Sequence, residues 1–195
     1  MNLSIRSIKK EIRILGLDTC RTGEVFGAIV RGGLFLDGVI RFPLADDLVE
    51  RELARAIVST RYYPELRAIM LHDPKQLLSS ATLENRSRLP IIEIARERQA
   101  RKGYVRFRAN HKTLFHRTRL PRETVQKILA LTWTQEGFPE PVSVAHLLAS
   151  SKLEPLHTSS RQGHSASAAE NMMRKGKSPK INPFSRSGPR LFSPT

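Results

Sequence analysis

Apolar and polar residues alternate at the start of residues 11–17 (Glu-Ile-Arg-Ile-Leu-Gly-Leu), and the run ends at Asp18, which predicts a strand. Val25 to Val30 and Leu34 to Phe42 are two more β-rich runs, and the Gly32-Gly33 pair between them matches a tight hairpin turn. The period then changes. Leu48, Val49, Leu53, Ala54 and Ile57 recur at helical spacing, with Asp46 and Asp47 placed where carboxylates suit an N-cap and the helix dipole.

A short apolar run, Leu66 to Leu71, ends in His72-Asp73-Pro74. A weak helix over 76–86 leads to another run, Pro90 to Ala95. Pro121 opens a helix with Val125, Ile128, Leu129 and Thr132 on one face. Gly137 and the turn Pro139-Glu140-Pro141 separate it from a last apolar helix, Val142 to Ser150. Three meandering strands followed by helix, strand, helix, strand and terminal helices predict an α/β architecture with a mixed sheet flanked by helices. The same order of elements occurs in the ribonuclease H-like fold.

Composition divides the chain. From His157 to Thr195 there are 8 Ser, 4 Pro and 3 Gly, and 7 basic residues face only Glu170. So few apolar residues cannot offset the entropy of ordering, so residues 152–195 read as a basic disordered tail and residues 8–151 as the folded domain. The tail fits a loose electrostatic arm for nucleic acid and fits an inert solvated extension equally well.

Charge narrows the partner. The chain carries 33 Lys plus Arg against 18 Asp plus Glu, a formal net charge of +15. Outside the tail this excess is concentrated between Arg96 and Arg122, where 10 basic residues accompany one acid, Glu97. Arg96, Arg98, Arg101, Lys102, Arg106, Arg108, Lys112, Arg117 and Arg119 are the candidate phosphate contacts, since pairing with phosphates dominates nonspecific nucleic-acid affinity. Tyr104, Phe107 and Phe115 lie among them, and alternation is expected to set Tyr104 and Phe107 near one face, available for base stacking. A solvated basic strand pair with its aromatics in the core accounts for the same pattern. The single cysteine, Cys20, excludes an internal disulfide and a Cys-clustered zinc site. No apolar run reaches a bilayer-spanning length and the N-terminus lacks a signal-peptide core, so a cytoplasmic protein with no membrane partner is expected.

Two carboxylates attract attention. Asp18 ends the first strand and Asp73 follows the fourth; parallel neighbours would bring both to the carboxyl edge of the sheet, where α/β sites lie. Converging carboxylates are relieved by a cation such as Mg²⁺, which activates water and stabilises a phosphodiester under attack. Both residues serve equally as turn formers at strand ends. His146, inside an apolar helix, fits a hydrogen-bonded core residue more readily than a ligand.

Several segments together resemble a known family: Lys10 to Asp18, Arg31 to Val39, Ser59-Thr60-Arg61-Tyr62-Tyr63, Leu66 to Leu71, and Pro139-Glu140-Pro141-Val142-Ser143-Val144-Ala145-His146-Leu147-Leu148-Ala149. Over residues 8–151 the chain is similar to the archaeal endonuclease dU family, formerly a domain of unknown function and related to endonuclease V. The resemblance implies a ribonuclease H-like fold and metal-dependent cleavage of DNA containing deaminated bases, deoxyuridine in particular, in DNA repair. It implies Mg²⁺, or Mn²⁺, as cofactor and single-stranded or damaged DNA as partner, with the damaged base leaving the stack to be read. Asp18 matches the first catalytic aspartate, Asp46 or Asp47 the acid after the third strand, and His146 a histidine beside the metal. Asp18, Asp73 and His146 are thus the candidate catalytic residues, and Asp18, Asp46, Asp47 and Asp73 the candidate metal ligands. Where the family has Leu-Asp-Gly this chain has Leu71-His72-Asp73, which in register puts His72 in the catalytic place. A catalytically degenerate nucleic-acid-binding member is the alternative that this departure implies.

Overall fold

The computed structural model describes residues 8–44, 49–109, 112–134 and 137–151. The expected tail therefore lies outside the described residues, as do Asp46 and Asp47. The described residues all fall in one compact unit.

Seven strands make one mixed sheet: β1 (Arg13–Asp18), β2 (Glu24–Arg31), β3 (Phe35–Pro43), β4 (Leu66–His72), β5 (Ile91–Ala95), β6 (Val105–Ala109) and β7 (Lys112–Thr118). Their order across the sheet is β3-β2-β1-β4-β5-β7-β6. β1, β4 and β5 pair in parallel, while the pairings β1–β2 and β2–β3 on one side and β5–β7 and β7–β6 on the other are antiparallel. The first five strands have the ribonuclease H-like arrangement expected, and the β6–β7 hairpin extends the sheet beyond β5. Among the described residues four helices flank it: α1 (Val49–Val58), α2 (Ser80–Ser87), α3 (Arg122–Thr132) and α4 (Glu140–Ser150).

Each face of the sheet has its own core. Ile14, Ala68, Met70, Ile92 and Ile94 pack with Val125, Ile128, Leu129 and Val142 of α3 and α4. Leu15, Leu17, Ile69, Leu71 and Ile91 pack with Leu53, Ile57 and Leu83 of α1 and α2. Strands covered on both faces read as near-continuous apolar runs, which is why Leu66 to Leu71 stands out in the sequence.

Two expectations shift by the chemistry of their ends. The weak helix begins only at Ser80: Ser79 is its N-cap and accepts from the Thr82 amide, and residue 76 lies in a left-handed conformation that no helix continues through. Pro139-Glu140-Pro141 is not wholly a turn, because α4 starts at Glu140 with Pro141 in its first turn, where a missing N–H costs nothing. The Gly32-Gly33 turn is as expected; both glycines have positive φ, the geometry of a hairpin reversal.

Gly16 decides where α4 sits. A side chain there would overlap the Pro141 carbonyl, so the helix lies directly on β1 because residue 16 has none. From Pro141 to His146 the helix rises about 7.5 Å and from Gly16 to Asp18 the strand rises about 6.6 Å, so the two advance nearly in step. His146 arrives beside Asp18.

Candidate metal centre and nucleic-acid surface

Four side chains, from β1 and the loop that follows it, β4 and α4, meet at the carboxyl edge of β1. Asp18 is the last residue of β1 and fully buried. His72, the last residue of β4, is its direct neighbour in the parallel register and is also buried. His72 Nδ1 lies 2.6 Å from Asp18 Oδ2, and His146 Nδ1 lies 3.0 Å from the same oxygen. Cys20 completes the group: its amide donates to Asp18 Oδ1 at 2.8 Å while its Sγ lies 3.6 Å from Oδ2 and 3.7 Å from His72 Nδ1. One ligand atom from each of these four residues lies within 4.8 Å of all the others, a group able to hold a metal ion.

Phe138 packs against both imidazoles, its ring 4.4 Å from that of His72 and 5.6 Å from that of His146. Two cations rim the opening. Lys75 donates to Thr22 Oγ1, Arg96 lies 4.8 Å over the Phe138 ring, and both act electrostatically on Cys20.

Burial would raise the Asp18 pKa, but hydrogen bonds from His72 and the Cys20 amide, with the charge of His72, hold its carboxyl below the usual range. Burial, and then the Asp18 carboxylate beside it, push the Cys20 thiol up to about 12 against the opposing pull of Lys75 and Arg96.

Asp73 does not join this group. Successive residues of a strand point to opposite faces, so with His72 turned to Asp18 its neighbour turns away. The Asp73 carboxylate accepts from Thr19 Oγ1 at 2.6 Å and from the amides of Leu77 and Leu78 at 3.1 and 2.8 Å. It organises the loop into α2. The Mg²⁺ implied by the resemblance takes oxygen ligands in octahedral geometry. Among the described residues this centre offers one carboxylate, two imidazoles and a thiol, a donor set that does not fit Mg²⁺.

The basic stretch divides between the two faces of the sheet. Arg106 pairs across the hairpin with Phe115, Arg108 with Thr113, and Arg117 with Glu93 of β5; these face away from α3 and α4. All three arginines are exposed. Arg96, by contrast, stands on the Asp18 side. Arg98, Arg101 and Lys102 are exposed around the 3-10 turn Glu97–Gln99 and the loop into β6. Arg119 is exposed near Glu84, and Lys112 opens β7 with its side chain outside the described residues. Tyr104 and Phe107 do not share a face, because an offset of three residues is odd in a period of two. Tyr104 donates to Glu93, whereas Phe107 packs 6.0 Å from Trp133.

Glu93 anchors this side of the sheet. Burial alone would raise its pKa, but Arg117, Ser80 and Tyr104 all donate to its carboxylate and hold it below the usual range. A cavity of about 380 Å³ opens beside it, lined by Asp73, Gln76, Ser80, Tyr104 and Arg117.

Sequence reasoning missed Cys20, Lys75 and Gln99 as members of this neighbourhood. The Asp18-x-Cys20 spacing is the one local signal, since an Asp side chain accepts readily from the amide two residues on.

No family model matches the chain. It is similar to a UPF0215 protein of Methanothermobacter thermautotrophicus, 27% identical over 187 residues that cover 76% of this chain and 91% of the relative. A UPF0215 protein of Methanosarcina barkeri is 28% identical over 183 residues, covering 76% of this chain and 94% of that one. Among solved structures, a protein of unknown function from Archaeoglobus fulgidus superposes with a TM-score of 0.57 at 16% identity, over 71% of this chain and 96% of that one. The Marinitoga piezophila Argonaute, solved with guide RNA and target DNA, gives a TM-score of 0.51 at 10% identity over 75% of this chain and 30% of its own. These structural likenesses establish the fold. No helix among the described residues is long and apolar enough to cross a membrane.

Proposed function

We propose that this chain is a nucleic-acid-binding protein on a ribonuclease H-like fold, without the magnesium-dependent cleavage of deoxyuridine DNA that the family resemblance implies. The observation that carries the reading is the distribution of its cations. Arg98, Arg101 and Lys102, around the 3-10 turn and the loop into β6, and Arg108 on β6 are exposed and form no ion pair among the described residues, and they lie on or next in the chain to the β6–β7 hairpin that carries Arg106 and Arg117. Unpaired cations in a row are suited to a phosphate backbone and release counterions when they meet it. The half-buried Phe115 lies on the same face, with Arg106 over its ring. The Argonaute neighbour, which holds RNA and DNA on a related fold, agrees with this reading.

A second reading, an endonuclease acting on deaminated DNA in repair, is favoured by the pairing of Asp18 with His146 beside the cations Lys75 and Arg96. One assay separates the two. End-labelled DNA with and without a single deoxyuridine, and RNA of the same sequence, are titrated across a salt series with EDTA or with Mg²⁺ or Mn²⁺. The binding reading expects affinity that falls steeply with salt, is indifferent to EDTA, and leaves every strand intact. Nicking in Mg²⁺ or Mn²⁺ that Asp18→Asn abolishes would replace it with the endonuclease.

A further inference from the structure

The centre at Asp18 gathers three potential ligand atoms around one carboxylate oxygen. A carboxylate oxygen offers two lone pairs, yet Asp18 Oδ2 is approached by His72 Nδ1, His146 Nδ1 and Cys20 Sγ at 2.6, 3.0 and 3.6 Å. His72 is constrained further on its other side. Its Nε2 lies 3.2 Å from Gln99 Oε1, and that same oxygen accepts from the Arg96 amide at 3.1 Å. The amide contact identifies this Gln99 atom as the acceptor, so His72 Nε2 carries a hydrogen. Its Nδ1 also faces an acceptor, Asp18 Oδ2. An imidazolium answers both contacts by donating from each nitrogen, whereas a neutral imidazole has one hydrogen to give and leaves a lone pair of Nδ1 facing the carboxylate, the arrangement in which it can ligate a cation.

A divalent cation among these atoms, which all lie within 4.8 Å of one another, is the other arrangement that accounts for the crowding. It takes the Nδ1 lone pairs of two neutral imidazoles, the carboxylate oxygen and the sulfur as a thiolate, which loses its proton to water on binding. We infer that Asp18, Cys20, His72 and His146 form a tetrahedral site for a borderline transition metal, Zn²⁺ in the first instance, with all four ligands from the protein. For tetrahedral zinc the edges are about 3.6 Å from sulfur to nitrogen or oxygen and about 3.3 Å between nitrogen and oxygen. The two sulfur distances, 3.6 and 3.7 Å, already match. The shorter Asp18–His72 and Asp18–His146 contacts need to open by roughly 0.3–0.7 Å to reach the nitrogen–oxygen edge. The Gln99 carbonyl on His72 Nε2 is the outer partner that zinc-bound histidines regularly have, fixing tautomer and ring orientation.

The donor set selects the ion. One oxygen, two nitrogens and one sulfur suit Zn²⁺ and exclude a hard, octahedral, oxygen-seeking Mg²⁺. Half-buried Cys20 and His146 provide the way in from solvent. A shell closed by four protein ligands belongs to structural rather than hydrolytic zinc. The ion would staple the ends of β1 and β4 to α4. This site stands independently of nucleic-acid binding, which the basic hairpin carries.

The test uses the full chain. Protein purified without chelator is assayed for metal by mass spectrometry, then stripped and reloaded with Zn²⁺ or Co²⁺ alone. The expected results are about one zinc per chain, retained against a large excess of Mg²⁺ and released by chelator, with a rise in Tm on reloading. Co²⁺ should give the intense visible bands of a tetrahedral site with a thiolate charge-transfer band, and Cys20→Ser should remove that band while circular dichroism stays unchanged. If Cys20→Ser does not fold, the wild-type Co²⁺ spectrum still decides. Sub-stoichiometric zinc with no Tm response, or the weak spectrum of octahedral Co²⁺, would overturn the proposal. Oligonucleotide binding measured on the same stripped protein fails or survives separately from these readouts.

Discussion

His72 stands opposite Asp18 on the adjacent parallel strand, and its Nδ1 lies 2.6 Å from the Asp18 carboxylate. In the family that the sequence resembles, an acid holds the place of His72. With His72 there, the centre offers a mixed set of oxygen, nitrogen and sulfur that suits a softer cation. The same register also explains the occupation of Asp73, which is spent on two loop amides and Thr19.

Asp18→Asn keeps the shape of a buried side chain and removes the charge that the imidazoles and the Cys20 amide approach. Breaking a buried, hydrogen-bonded pair from one side costs about 3 kcal/mol. Urea unfolding of the variant should show a lower midpoint at unchanged m-value.

Gly16→Ala tests how α4 is held. The added Cβ overlaps the Pro141 carbonyl, so the helix has to move off β1 and carry His146 away from Asp18. The expected cost is about 1–3 kcal/mol, as for other overpacked positions. Metal retention should fall with it, although residue 16 is no ligand. Calorimetry and metal content on one sample check both.

Exchanging Arg98, Arg101, Lys102 and Arg108 for Gln should weaken binding to any oligonucleotide sequence by a similar factor. Each lost phosphate contact should flatten the slope of log affinity against log salt by about 1. An unchanged slope would place the nucleic acid elsewhere.

Glu93 links stability to acidity. Its carboxyl is held below the usual glutamate range in the folded chain, so the folded state is favoured wherever an unfolded glutamate would be ionised. That contribution is full above the ordinary glutamate pKa and is lost as the pH falls through the depressed folded value. The difference in urea midpoint between wild type and Glu93→Gln should therefore be largest near neutrality and shrink as the solution is acidified below pH about 4.

Most of the architecture is legible in local pattern. The runs at 11–17, 25–30, 66–71 and 90–95 became β1, β2, β4 and β5 because these inner strands bury both faces and so read as apolar stretches, while the run at 34–42 became the largely exposed edge strand β3. Their order gave the ribonuclease H-like topology. Ends were less legible: the start of α2 follows from Ser79 and the bend at Gln76, and the start of α4 from a proline that opens a helix as easily as it ends one. The placing of Tyr104 and Phe107 on one face went against the two-residue period of a strand.

Asp18 could be singled out by its place at a strand's carboxyl end, and His146 chiefly by the family resemblance, since local pattern alone reads it as a core histidine. The charge between Arg96 and Arg122 was equally plain, since net charge is a property of composition. Which atoms meet is a different matter. The register of β1 against β4 set His72, not Asp73, beside Asp18; the bare backbone at Gly16 let α4 bring His146 to the same oxygen; the pleat sent Arg106 and Arg117 to the far face. Such distances depend on hydrogen-bond register and helix packing between segments up to 128 residues apart, and only the folded chain sets them.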